Sequence, residues 1–356
     1  MELNRCKRCV MPDTRPDTEF VEGICSACIA YESRPRVDWG ARSAQLDRLL
    51  ARARRYAQLE GHTYDCIVPS SGGKDSHHQV IALKARGMRP LVVTATTCHL
   101  TQMGRLNIDN LARYASTIEV TPDRTVRAKL CQLGLTLVGD ISWPEHVAIF
   151  TTPFRIARAM KIPFLFYGEN PQNQYGGPLE SLDAMLMTRR WVAEFGGFLG
   201  LRPQDLIGVQ GLTEDDMADY MLSEGEADGL EAHFLGQYLP WDSHKNAEVA
   251  RVYGMLQGLP CKANWWPHEN LDNAQTGLHD YLMFLKYGYG RGCAQISVDV
   301  REGTVSRETA LAWVKENDGR FPSTYAGVGV AKVLGRIGVT LSTLDDVCEK
   351  FRGDKP

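Results

Sequence analysis

The stretch that most limits what this chain can become is YDCIVPSSGGKDSHHQVIALKARG, residues 64–87. Tyr64 to Pro69 reads as a buried strand, and Lys74 to Arg86 reads as a helix closed by Gly87. Between them the chain breaks into Ser70-Ser71-Gly72-Gly73. A glycine-rich turn from strand into helix is the anion-holding corner of α/β nucleotide folds, whose ligands lie beyond the carboxyl ends of the strands. The following pieces keep that order: Pro90 to Thr97 as a strand, Gly104 to Tyr114 as a helix, then Ser116 to Val120 and Ile162 to Tyr167 as strands. An α/β parallel-sheet core is therefore predicted. Ser70 to Ser76, Thr94 to Thr97 and Gly168-Glu169-Asn170 should surround one crevice.

The loop has neither the Walker spacing nor the Rossmann spacing. The physics is shared, however. Gly72 and Gly73 let successive N–H groups point at an anion, and the helix from about Lys74 aims its positive end at the same place. Ser71 and Ser76 can donate hydroxyl hydrogen bonds to phosphate. Asp75 is misplaced beside an anion unless Mg²⁺ lies between them. Ser-Gly-Gly-x-Asp-Ser after a strand resembles the pyrophosphate loop of the N-type ATP pyrophosphatases. That resemblance implies a PP-loop, HUP-like core that cleaves ATP between the α and β phosphates and adenylates an oxygen. Ser70, Ser71, Gly72, Gly73, Lys74, Ser76, Thr94, Thr96 and Gly168 would then hold ATP, with Asp75 on its Mg²⁺.

At the N-terminus, Cys6-x2-Cys9 is followed by Cys25-x2-Cys28. Each pair can reach one ion from a tight turn, and two such turns supply four thiolates. All four positions would be filled, so the ion is structural. Zn²⁺ is the expected occupant, with an iron–sulfur cluster or four unpaired cysteines as alternatives. Residues 1–35 cannot bury much core, and the metal would supply their folding energy. Residues 36–60 read as a linking helix, 61–242 as the nucleotide core with a helical insertion around 178–228, and 243–356 as a mostly helical substrate-binding and scaffold region.

The second half carries polar–aromatic clusters: GENPQNQYGGP (168–178), YLPWDSHKN (238–246) and TGLHDYLMFLKYGYGRG (276–292). Together with the four-cysteine unit and the loop, these look like the N-acetyl sugar amidotransferases of bacterial surface-polysaccharide pathways. The resemblance implies conversion of an acetamido group on a nucleotide-activated sugar into an acetamidino group, with ATP and ammonia consumed. Lys286 and Arg291 are candidate clamps for pyrophosphate or an acidic sugar. Asp242 could take a proton from ammonia, with Glu169 its rival or a second Mg²⁺ ligand. Asn170, Tyr175, His279, Asp280 and Tyr287 are candidate sugar contacts. Trp265-Trp266-Pro267 reads as packing, and no chemistry is expected from Val305 onward.

The net charge of −3 gives no electrostatic reason to expect nucleic acid. That counts against a tRNA thiolase, the nearest alternative, which would also need a sulfur-carrying cysteine among Cys98, Cys131 and Cys293. A non-catalytic nucleotide-binding scaffold would have no use for Asp75. No apolar run suggests a membrane span, and MELNRCKRC lacks the apolar stretch of a secretion signal, so a cytoplasmic setting with reduced thiols is expected. No cysteine has the marks of the two common glutaminase nucleophiles, so a separate glutaminase with an ammonia channel is the expected partner.

Overall fold

The computed structural model describes residues 3–222, 225 and 227–353. The N-terminal hairpin pairs β1 (Phe20–Val21) with β2 (Ile24–Cys25), turning at Gly23 with φ of 81°. The helix Ser26–Ser33 follows directly, and Trp39–Glu60 then leads to the central sheet.

That sheet contains β3 (Cys66–Pro69), β4 (Pro90–Ala95), β5 (Ser116–Val120), β6 (Phe164–Tyr167) and β7 (Glu231–Phe234). Every pairing is parallel, in the order β5-β4-β3-β6-β7. The expected α/β class with a parallel sheet is therefore present. Side chains alternate between the faces, as a strand period of two requires. Cys66, Val68, Val92, Phe164 and Phe166 pack with Leu46, Leu50, Val80 and Leu83 of the Trp39–Glu60 and Lys74–Ala85 helices. Ile67, Leu91, Val93 and Leu165 point the other way, towards Phe154 and Ala157 of the helix Trp143–Met160. Buried on both faces, such strands read as continuous apolar runs.

Strand order reverses direction between β3 and β6, so the switch-point crevice lies beyond Pro69 and Tyr167. Several boundaries differ from expectation. The helix expected from Gly104 runs Gln102–Leu111, because the Thr101 hydroxyl accepts from Gly104 N–H and starts it early. The second sheet strand ends at Ala95, and Thr96 turns its hydroxyl to Thr121. Short helices, including Arg189–Phe195 and Glu214–Met217, occupy the stretch between β6 and β7.

After Ser243–Val252 come the helices Thr276–Tyr287, Arg291–Glu302 and Arg307–Asn317. The hairpin of β8 (Thr324–Tyr325) and β9 (Val328–Gly329) then precedes helices Val330–Arg336 and Leu341–Phe351. Leu278, Leu282, Val333, Leu334 and Val347 share a core with Cys131, Leu135 and Ile141, which joins this half to the sheet's flanking helix Arg124–Val138. Cys293, Ala294 and Ile296 pack under the cysteine-rich unit with Val10, Met11, Ala27 and Tyr289. No described helix is long and apolar enough to cross a membrane.

One glycine fixes how closely Arg291–Glu302 seats. A Cβ at Gly292 would lie 2.2 Å from the Trp313 ring and 2.4 Å from the Ala263 carbonyl oxygen. Gly292→Ala should therefore cost about 1–3 kcal/mol through overpacking, read as a lower melting temperature. An unchanged melting temperature would contradict this packing.

Candidate functional site

The loop after β3 and the loop after β6 meet at the switch point. Gly72 takes φ of 78°, and a Cβ there would come within 2.9 Å of the Ile108 backbone nitrogen. Only glycine fits that close approach. Ser70 turns inward and accepts from Gly72 N–H at 2.9 Å, which shapes the turn. Gly73, extended, leads into the Lys74–Ala85 helix, so the first-turn N–H groups face the crevice. Gly168 lies against the same helix: a Cβ there would be 3.5 Å from the Asp75 Cβ.

A cleft of about 200 Å³ opens over this corner. Ser71, Gly72, Gly73, Lys74, Asp75 and Ser76 form one wall, and Glu169 and Tyr175 another. The third wall is the segment from His268 to Asp272, together with Arg291. That segment is pinned at several points. The Thr101 hydroxyl donates to the Leu271 carbonyl, Thr101 N–H to Asp272 O at 2.9 Å, and Tyr325 OH to Asn270 O at 3.1 Å.

Lys74, only 3% exposed, joins the walls. Its Nζ lies 2.5 Å from Asp75 Oδ2 and 3.1 Å from Glu269 Oε1. Burial opposes the ammonium charge, but Asp75 and Glu269 overcome this and hold its pKa well above the ordinary value. Burial would likewise raise Glu269, yet Lys74 and then Arg291 hold it down to about 2. Glu269 also accepts from Gln295 Nε2 at 2.9 Å and Tyr175 OH at 3.2 Å. Glu169 has no such support. Burial first, and the nearby Asp75 charge second, push it up to about 7. His268 is buried, its Nε2 has no partner, and burial takes it down to about 4, so it enters the cleft neutral.

The cleft therefore offers a buried cation, a guanidinium, aimed backbone N–H groups and the carboxylate residues Asp75, Glu169, Glu269 and Asp272. A polyphosphate fits the first three. The carboxylates fit only with a divalent cation between them and that anion, and Asp75 and Glu169 are the ones next to the loop.

Several sequence candidates lie elsewhere. Asp242 caps the helix Ser243–Val252, accepting from Lys245 N–H at 2.9 Å. Lys286 donates to Val138 O at 3.1 Å and sits over the Tyr287 ring. The Tyr287 carbonyl accepts from the Thr14 hydroxyl. His279 pairs with Asp140 at 2.7 Å. Asp280 stands behind the cleft and holds Arg291 through Nε and Nη2, at 3.2 and 3.1 Å. Asn170 caps the short helix Pro171–Tyr175 and donates to Ser181 O at 2.8 Å. Thr94 is buried with a partnerless hydroxyl, while the Thr96 carbonyl accepts from Arg127 at 2.5 Å. Glu269 and His268 were missed at the sequence level; their signal was a His-Glu-Asn triplet directly after Trp-Trp-Pro.

The four N-terminal cysteines converge. Cys6 Sγ is 3.8 Å from Cys28 Sγ, and Cys9 Sγ is 3.7 Å from Cys25 Sγ. A tetrahedral ion with metal–sulfur bonds of about 2.3 Å spaces its sulfurs about 3.8 Å apart. All four are buried and none is disulfide-bonded, so the set fits a single metal ion such as zinc. Backbone N–H groups of Arg8 and Cys25 donate to Cys6 Sγ at 3.4 and 3.3 Å, the support that thiolates require.

Hydrogen bonds run from the cysteine unit and its flanking helices to Gln174, next to Tyr175 of the cleft wall. Arg307 donates to the Cys6 and Cys9 carbonyls, and Arg301 to Gln174 O at 2.6 Å. Arg15 donates to Tyr289 OH at 3.1 Å.

Residues 262–355 match the family model described as "LPS biosynthesis protein WbpG-like, C-terminal domain". No curated protein matches the chain. The cleft wall from His268 to Asp272 and Arg291 falls inside the matched residues.

Two outcomes follow from this geometry. Cys6→Ser should abolish stoichiometric metal binding and lower stability by several kcal/mol, on the order of a structural metal's contribution; metal analysis and thermal melting read both. Glu169, raised in the folded state, binds its proton more tightly there than when unfolded. Its contribution to stability is therefore lost as pH rises through about 7. Glu169→Gln should be more stable than the parent by roughly 1–3 kcal/mol at pH 8, and the gap should close by pH 5. Melting curves at the two pH values check this.

Proposed function

We propose that the chain is an ATP-dependent amidotransferase of polysaccharide biosynthesis, built on a PP-loop core. It converts the acetamido group of a nucleotide-activated sugar into an acetamidino group. One observation carries this reading. The Ser-Gly-Gly-Lys-Asp-Ser loop and the segment matching a lipopolysaccharide-biosynthesis domain close on the same cleft.

An amide oxygen is a poor leaving group. Its attack on the α-phosphorus of ATP expels pyrophosphate and leaves an imidate bearing AMP. Ammonia then attacks the imidate carbon, and AMP departs with the C–O electron pair. Lys74, Arg291 and the loop N–H groups receive the charge that develops on pyrophosphate. Mg²⁺ held by Asp75, with Glu169 within reach, would neutralise the phosphates as they enter a site otherwise rich in carboxylate. Tyr175 and neutral His268 offer hydrogen bonds to the sugar or its amide.

Zinc in the four-cysteine set is structural, and the 3.7–3.8 Å sulfur spacing suits one ion rather than a cluster. A separate glutaminase supplies the ammonia. The thiolase alternative needs a sulfur carrier at the cleft, and none of Cys98, Cys131 and Cys293 lines it.

The test uses the intact protein with ATP, ammonium and a panel of UDP- and CMP-linked N-acetyl sugars. The expected result is AMP, pyrophosphate and a sugar whose mass reports replacement of O by NH. Formation of ADP and orthophosphate overturns the reading. Asp75→Asn keeps the shape and removes the charge, so it should lower turnover by at least 10²-fold with a melting temperature close to the parent's. A variant that retains full turnover would remove Asp75 from the metal role.

A further inference from the structure

Apart from the four cysteines, Asp140, His146 and His279 form a group whose ligand atoms all lie within 4.8 Å of one another. Asp140 lies in the turn between the helices Arg124–Val138 and Trp143–Met160. His146 sits in the first turn of Trp143–Met160, and His279 in the first turn of Thr276–Tyr287. Gln275, fully buried, holds these two helix starts together: its Nε2 donates to Ile141 O at 3.1 Å and to Glu145 Oε2 at 2.9 Å. Gly134 allows the turn to close on the preceding helix, since a Cβ there would lie 2.5 Å from the Asp140 carbonyl oxygen and 2.6 Å from Trp143 Cβ. The group is therefore carried by rigid elements, as precise ligand placement requires.

Asp140 is 1% exposed, so its carboxylate needs partners. Oδ1 has two, accepting from Ser142 N–H at 2.8 Å and from His279 Nδ1 at 2.7 Å. Oδ2 has no hydrogen bond, although His146 Nδ1 is 3.1 Å away. His146 Nδ1 makes none either, so the two atoms are close without the alignment that a shared proton demands. A nitrogen and an oxygen held in this way suit a shared ion better. With bonds of about 2.0–2.1 Å, a tetrahedral zinc spaces its nitrogen and oxygen ligands about 3.3 Å apart. Lys286 and Arg291 are the cations that face the group, and each is engaged elsewhere, Lys286 with Val138 O and Arg291 with Asp280. The other mixed clusters among the described residues have their buried carboxylates already taken. Glu145, beside Cys98 and Cys131, accepts from Cys98 N–H and Gln275, and Asp299, beside His244 and Glu302, accepts from Trp265 and Trp266.

We propose that Asp140, His146 and His279 hold a second metal ion, a transition-metal dication such as zinc. Two imidazoles and one carboxylate suit that class of ion, whereas Mg²⁺ takes oxygen ligands. Asp140 supplies Oδ2, and each histidine its Nδ1 lone pair, with the ring proton on Nε2. The hydrogen bond from His279 to Oδ1 is exchanged for the bond to the ion. Three protein ligands leave a fourth position for water. His146 and His279, with 26% and 18% of their side chains exposed, leave a way in from solvent. The ion ties the start of Thr276–Tyr287 to the start of Trp143–Met160, which packs on the sheet. Asp280, next to His279, braces Arg291 in the cleft wall, so the same ion steadies the turn that carries that brace. The inference stands apart from the amidotransferase reading.

The test uses the intact protein and Zn²⁺ alone. Treatment with a mild chelator leaves the zinc of four thiolates in place and strips a site of three nitrogen and oxygen ligands. Titration with Zn²⁺, followed by metal analysis, should then add one equivalent to the parent, and the melting temperature should rise with zinc concentration. His146→Gln and His279→Gln each remove one ligand and keep a polar side chain. Both should bind the added equivalent at least about a hundredfold more weakly, since even an outer-shell partner is worth about 10–100-fold in affinity. Their melting temperatures should no longer respond to zinc. Two positions are used so that the second decides if one variant fails to fold. A parent that takes up no zinc beyond its cysteine site overturns the proposal. A further equivalent that the variants bind with the parent's affinity also overturns it, since the ion then lies elsewhere.

Discussion

The cleft depends on a single buried cation. Lys74 sits 2.5 Å from Asp75 on its own helix and 3.1 Å from Glu269, nearly two hundred residues further along the chain. Burying an ammonium costs several kcal/mol unless partners compensate it, and removing one partner from such a group is far more costly than never having formed it. Lys74 therefore links the end of the sheet to the C-terminal segment, and loss of either partner would leave a buried charge uncompensated. Arg291 reinforces the tie, because it helps to hold Glu269 ionised while itself being held by Asp280. Breaking this chain of charges at any link would leave an unpaired charge out of water.

The four-cysteine unit serves the same end from outside. It is not a free-standing appendage, for its core is continuous with Cys293, Ala294 and Ile296 of the helix that begins at Arg291. Arg301 and Arg307 tie that helix and the next to the unit and to Gln174, one residue from Tyr175 in the cleft wall. A tetrahedral ion fixes four chain positions at once, at little cost in apolar surface. A metal held by the four cysteines would in this way help to set the position of the Arg291 guanidinium that lines the cleft.

How much was legible beforehand follows from distance along the chain. The loop, the strands that flank it and the cysteine pairs are local patterns, and their spacing carries the physics directly. Glu269 and His268 belong to a segment without periodicity, held by Thr101, Tyr325 and the Trp265–Trp266–Asp299 bonds, so their only local signal is the polar triplet after Trp-Trp-Pro. Lys286 and Arg291 look equivalent as flanks of Tyr-Gly-Tyr-Gly. Gly288 ends one helix with φ of 74° and Gly290 starts the next, so the two cations face different ways. His279 and Asp280 are neighbours on one helix and so about 100° apart around it. One reaches Asp140 while the other braces Arg291.

Glu169 shows what the remaining electrostatics are for. Lys74 and Arg291 already neutralise Glu269 and Asp280, and Asn246 donates to Asp75 at 3.1 Å. Among the described residues lining the cleft, Glu169 and Asp272 are left with a raised pKa and no ion-pair partner. A structure selected only for stability would place an amide or apolar group there, since a carboxylate buried beside another is a standing cost above neutral pH. The cost is intelligible at a position that meets a cation bound in the cleft. A cation bound beside it lowers the energy of the carboxylate only while it is present, and strongly shifted groups in a cleft favour binding over stability in this way.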